Sequence, residues 1–202
     1  MVKNKFYFFA IGVCLVSFAG CSSTQVKRVE PEEVVDLSGR WNDTDSRLVA
    51  KEMIGDVLAR SWVTDFRCKQ NRKPVVIVGP LLNKSHEHIN GAIFVKDLER
   101  QLLNSGKIKF VASKEERPDV RDERQDQRAG FTNPETIKKM AMETGADYIL
   151  IGSINSVKDE FKGRYVILYQ VNLELIDIET NEKAWIGQKH IKKVVKRSKY
   201  SL

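Results

Sequence analysis

Pro74-Val75-Val76-Ile77-Val78-Gly79 is a short unbroken apolar run, rich in β-branched residues and bounded by breakers. Such a run fits a strand covered on both faces, and Gly79-Pro80 is expected to end it. A polar loop follows, Asn83-Lys84-Ser85-His86-Glu87-His88. Ile93, Phe94, Leu98, Leu102 and Leu103 then recur at helical spacing, and Asn104-Ser105-Gly106 closes that helix with a glycine suited to a left-handed cap. Ile108-Lys109-Phe110-Val111 reads as a second strand. Strand, helix and strand within some forty residues predict a βαβ crossover, which brings the two strands parallel.

Working back from that unit, Asn42 or Asp43 can cap a helix whose first turn holds Asp43 and Asp45, where the helix dipole favours negative charge. Leu48, Val49, Met53, Ile54, Val57, Leu58 and Trp62 extend the pattern to about 20 residues. Trp41, just ahead of it, fits a packing staple. Working forward, Lys114 to Arg128 mixes charges densely and evenly, as a solvated helix or loop does. Thr132 or Asn133 with Pro134 predicts a further helix carrying Ile137, Met140, Ala141 and Thr144. Ala146 to Ile154 is expected to be a third, well-buried strand. Phe161-Lys162-Gly163-Arg164 turns the chain into a long strand, Tyr165 to Asp177, with Val171, Leu173 and Leu175 inward. Glu179 to Glu182 forms a hairpin loop, and Lys183 to Val195 returns. The fold class is therefore α/β: a single domain with a mixed β-sheet flanked by helices and a C-terminal antiparallel meander.

The amino terminus is organised differently. Lys3 and Lys5 precede a run of apolar and small residues from Phe6 to Gly20, and then Cys21. The run is short for a bilayer core of about 30 Å but suits a signal-peptide h-region. Ser17-Phe18-Ala19-Gly20-Cys21-Ser22 resembles the lipobox at which bacterial lipoproteins are cut and acylated. Cleavage would make Cys21 the first residue and the site of lipid attachment, and several acyl chains would anchor it firmly. An ordinary secretory signal or an uncleaved anchor is the alternative. Ser22 in place of Asp implies sorting to the outer membrane. Residues 1–20 are thus read as signal peptide, 21–36 as lipidated terminus and short tether, and 37–202 as the folded domain.

Removing the signal lowers the formal charge from +7 to +5, since Lys3 and Lys5 leave. Much of the remaining excess lies in the last twenty residues, where Lys183, Lys189, Lys192, Lys193, Lys196, Arg197 and Lys199 stand without an acid. In an exported chain this argues against nucleic acid and for lipid headgroups, wall polymers, an acidic partner or a solvated tail. Cys14 leaves with the signal and Cys21 carries lipid, so Cys68 has no internal partner and is expected to be structural or incidental.

No catalytic constellation stands out. There is no Gly-x-Ser-x-Gly and no phosphate-binding glycine loop. His86 and His88 could face one ion from a loop, but third and fourth ligands lack candidates, so no metal and no cofactor are expected. The loop Asn83 to Ile89 lies at the carboxyl end of a strand, where open α/β sheets tend to bind. Asn83, Lys84, His86, Glu87 and His88 are accordingly the candidate partner-binding residues, the alternative being a mere connection.

Leu37 to Ser46, Val78-Gly79-Pro80, Leu98 through Lys107, Gly145 to Leu150 and Ala184-Trp185-Ile186-Gly187 together, in this order behind the lipobox, resemble the LpoB-type lipoproteins, activators of penicillin-binding proteins. The resemblance covers nearly all of the mature chain. It implies a compact α/β domain like the N-terminal domain of the Tol-system β-propeller protein. It implies a non-enzymatic role: a lipid-anchored periplasmic protein that binds and stimulates a bifunctional peptidoglycan synthase, a class A penicillin-binding protein, acting as a monomer. Family members carry a long Pro-rich linker, whereas this chain has a tether of about 15 residues, reaching at most about 50 Å. A curli-type secretion or envelope-assembly lipoprotein is the alternative. That reading needs long lipid-facing hairpins, and only Tyr165 to Asp177 is expected to be long.

Overall fold

In the computed structural model, which describes residues 26–138 and 143–196, helix α1 (Asp43–Ala59) opens with a reciprocal cap. The Asn42 side chain accepts from Asp45 N–H at 3.0 Å, and the Asp45 carboxylate accepts from Asn42 N–H at 3.0 Å. Two otherwise orphaned donors are satisfied together. Val49, Ala50, Met53, Ile54 and Val57 form the buried stripe; Leu48, expected within it, lies off the stripe and is exposed. The predicted 20-residue helix is in fact two. It stops at Arg60, and α2 (Trp62–Gln70) starts afresh, because Trp62 Nε1 reaches back to the Val57 carbonyl at 2.7 Å. That turn lays Trp62 and Phe66 edge-on against Tyr148, with centroids 5.0 and 5.7 Å away. Cys68, on α2, is exposed.

Strand β1 (Val75–Lys84) does not end at Gly79-Pro80. A register slip between Val78 and Leu81 lifts the pair out of the ladder and the strand resumes. Proline's missing N–H costs nothing at such a bulge. Gly79 is needed there because a Cβ would lie 2.8 Å from Ile149 and 2.9 Å from Ile151. The end of β1 takes in Asn83 and Lys84, which were expected in the loop. Helix α3 (Gly91–Asn104) buries Phe94, Leu98 and Leu102, while Ile93 and Leu103 face water, so its core stripe is narrower than the sequence pattern. Each fully buried side chain of this kind contributes about 1.5–3 kcal/mol. Strand β2 (Lys109–Phe110) is shorter than expected and pairs in parallel only with Val75 and Val76, completing the βαβ crossover.

Helix α4 (Arg117–Asp126) has no buried residue, in keeping with its mixed charges. The helix expected from Thr132 is not formed over 132–138. The Asn133 side chain takes Glu135 N–H and its carbonyl takes Thr136 N–H and Oγ1, which closes local turns in place of a helix start. Met140 and Ala141 lie outside the described residues.

Three 14-residue strands follow: β3 (Tyr148–Phe161), β4 (Arg164–Asp177) and β5 (Lys183–Lys196). β3 runs seven residues beyond its expected end at Ile154, so β4 is not the only long strand. Lys162 and Gly163 both have positive φ, 45° and 75°, the two-residue turn that matches strand twist. The sheet order is β2-β1-β3-β4-β5, parallel across the first three strands and antiparallel across the last three. Helices α1 and α3 cover one face, where Leu150, Ile154, Ile167, Tyr169, Val171, Leu173 and Leu175 close the core.

This compact unit begins at Val34. Lys193 of β5, only 10% exposed, binds Asp36 and Asp45 at 2.7 Å each and the Arg40 carbonyl at 3.1 Å. Burial opposes the Lys193 charge, but the two carboxylates outweigh it and raise its pKa. Of the separate unit Met1–Glu33, the described residues carry one turn, from Glu33 N–H to the Glu30 carbonyl.

Candidate functional site

The last residues of β1, Asn83 and Lys84, pair with Ile154 and Asn155 of β3 and are exposed. Beyond them the loop folds on itself. Asn83 Oδ1 accepts from Ser85 N–H and Oγ, and Asn83 Nδ2 donates to the Glu87 carbonyl at 2.8 Å. His86 is fixed from β3: its N–H donates to Ser156 Oγ at 3.0 Å, and its Nδ1 lies 2.6 Å from the same oxygen.

Glu87 points the other way, into the domain. Its carboxylate accepts from Tyr169 Oη at 2.7 Å and from Trp41 N–H at 3.1 Å, and its side chain is 12% exposed. Burial, then the bond to Glu87, pushes the Tyr169 phenol far above its ordinary range, so it remains a donor. Trp41 packs edge-on against Phe94 and Tyr169 and donates from Nε1 to Ser46, which is the staple role expected of it. Glu87 thus holds the loop to the core, and Lys84, His86 and His88 form its outer surface. A cavity of about 350 Å³ lies beside them, lined by His86, Glu87 and His88 on one side and Arg40, Lys158 and Tyr165 on the other.

Ser156, His86 and Glu87 stand in a row, which sequence reading missed because Ser156 is 70 positions from His86. The row lacks what acyl transfer needs. His86 Nε2 is 3.6 Å from Glu87 Oε1, beyond a hydrogen bond, and Glu87 is already held by Tyr169 and Trp41. Ser156 lies within a strand and not on a constrained turn. Among the described residues no group of three or more His, Cys, Asp or Glu is arranged to hold a metal ion. No helix among them is long and apolar enough to cross a membrane. What remains is a polar, cation-bearing surface on a fixed loop. Cys21 lies outside the described residues.

Comparison with known proteins bears on this fold. Searching curated protein sequences finds no match. Among solved structures, the LpoB C-terminal domain from Escherichia coli is 18% identical, with 73% of this chain and 98% of that one covered at a TM-score of 0.46. The solution structure of E. coli LpoB is 15% identical, covering 98% and 93% at 0.41. Lipoprotein GNA1162 from Neisseria meningitidis is 20% identical, covering 62% and 86% at 0.38. The family model described as peptidoglycan-synthase activator LpoB matches residues 45–191, from the capping-box Asp45 to Ile191 in β5. On that match, which spans most of the folded unit, the chain belongs to the LpoB family of peptidoglycan-synthase activators.

Proposed function

We propose that this protein is a non-enzymatic regulator that binds and stimulates a class A penicillin-binding protein from the periplasm, held to the outer membrane by lipid on Cys21. The observation that carries the reading is the family match over residues 45–191. The lipobox and the signal-like run before it supply the anchor and the compartment. The Asn83–His88 loop is the contact surface in this reading. Lys84, His86 and His88, with Arg40 and Lys158 nearby, suit a partner face that offers carboxylates. Glu87 and Asn83 keep that surface rigid, which lowers the entropic cost of association.

Binding of the full-length chain in detergent to the organism's own bifunctional synthase tests this. Lys84→Glu and His88→Glu should weaken binding without unfolding the domain, because no intramolecular bond is seen for either side chain among the described residues. Undiminished binding by both variants would move the contact elsewhere, and no binding by the parent would remove the function. Intact-mass analysis of the mature protein tests the acylation of Cys21. Ser22→Asp should shift the protein to the inner membrane in fractionated cells.

A further inference from the structure

At the end of β1 opposite the candidate loop, α2 and the β4–β5 connection enclose a second cleft of about 500 Å³. Helical spacing puts Trp62, Asp65, Phe66 and Lys69 on one side of α2, and all four line it. Tyr148 forms its floor, 7% exposed, and its hydroxyl has no hydrogen-bond partner among the described residues. Burial and the carboxylates of Asp177, Asp147 and Asp65 push that phenol up, so it stays neutral. A hydroxyl without a partner, opening onto a cleft from a side chain that is otherwise buried, is a group that a ligand can complete.

The charges around it have a clear sign. Arg72 is held by Asp147 in a two-pronged pair at 2.6 and 2.7 Å, and its guanidinium lies 4.9 Å from the Phe66 ring centre. Lys69 is the other cation of the cleft. Against them stand Asp65, Asp177 and Glu179 besides Asp147. Asp177 Oδ1 caps its own hairpin by accepting from Glu179 and Thr180 N–H. In a chain of net charge +7 this corner has excess carboxylate. Aromatic walls with an electron-rich face, carboxylates at the rim and a free phenol oxygen are the complement of a cation on an apolar stem. Arg72 over Phe66 already shows one ring accepting a guanidinium.

We propose that this cleft is a binding site for a lysine or arginine side chain presented by a protein partner, with the ammonium or guanidinium between Asp65, Asp177 and Glu179 and its stem against Trp62 and Phe66. The Tyr148 oxygen accepts one of its N–H bonds. This site is separate from the Asn83–His88 surface and does not rest on the synthase reading.

The test uses fluorine NMR of the full-length chain in detergent, labelled with fluorotyrosine and fluorotryptophan, with Tyr148→Phe and Trp62→Phe assigning the two signals. The probes are Gly-Lys-Gly and Gly-Arg-Gly peptides blocked at both ends, the neutral norleucine analogue, and butylammonium. Saturable shifts of both signals with the cationic peptides, absent with norleucine, are expected. Asp65→Asn with Glu179→Gln should weaken them about fivefold, as for two partly exposed charge contacts, and added salt should do the same in the parent protein. Equal shifts with norleucine, or none with either cationic peptide, would overturn the proposal. Butylammonium binding more tightly than the peptides would overturn its protein source and leave a site for a free amine.

Discussion

Replacing Lys193 by methionine keeps the apolar stem and removes the cation that joins Asp36, Asp45 and the Arg40 carbonyl. The cost is set by Asp45, whose side chain is 6% exposed and would keep only the Asn42 N–H. Asp36, at 50% exposure, would be rehydrated cheaply. Removing one partner of a buried pair costs about 3–5 kcal/mol, so about 3 kcal/mol is expected with Asp36 discounted. For a domain of this size that lowers Tm by about 6–12 °C. A pH dependence follows. Burial already raises the Asp45 pKa despite its contact with Lys193, and without Lys193 it rises further. A carboxyl whose folded pKa exceeds the unfolded value of about 3.9 destabilises increasingly as pH rises between the two. The deficit should therefore be smaller at acid pH than at neutral pH, and Asp45→Asn should restore most of it. Urea unfolding of parent, single and double variants at both pH values measures this. A cost below about 0.5 kcal/mol, as for an ordinary surface lysine, or one that does not change with pH, would refute the reasoning.

Asp147→Asn should cost about 1–2 kcal/mol at neutral pH, since the carboxylate holds both Arg72 and Val75 N–H. Burial opposes ionisation of Asp147, but those two bonds outweigh it and its folded pKa is lowered. The parent's advantage is then present above the unfolded pKa and disappears as pH falls through the folded one, which urea titrations across the acid range would show. Gly39→Ala should cost about 1–3 kcal/mol: φ is +70° there, and a Cβ would come within 2.2 Å of Val195 Cγ2. Val195→Ala in the same chain should relieve the clash and leave the backbone strain, as thermal unfolding of the pair would reveal. Tyr169→Phe removes the Glu87 contact and should cost about 1–2 kcal/mol while speeding amide exchange in the loop at 85–90.

The sequence carried the fold wherever the signal is local. The run at Val75–Val78, the cap at Asn42 and the Lys162-Gly163 turn each depend on neighbours a few positions away, and each is where the pattern put it. What was hidden depends on distant partners. No glycine or proline marks the break after Ala59; Trp62 makes it by turning onto Tyr148, 86 positions on. Gly79-Pro80 reads as a stop, yet the strand survives because a bulge absorbs both residues against Ile149 and Ile151. The second half of β3 has no apolar alternation to announce it, and it is held by its pairing with β4. The candidate loop was visible from its place after a strand. The inward bond of Glu87 to Tyr169 was not, since 82 positions separate them. The Tyr148 cleft was equally invisible, being assembled from α2, the start of β3 and the end of β4.

The most direct test of the account is the rate of glycan-strand polymerisation by the organism's own bifunctional synthase, measured with and without the full-length protein in detergent. The account predicts a several-fold increase that saturates with added protein and is lost in the Lys84→Glu, His88→Glu variant. An unchanged rate from a synthase shown to be active would contradict it.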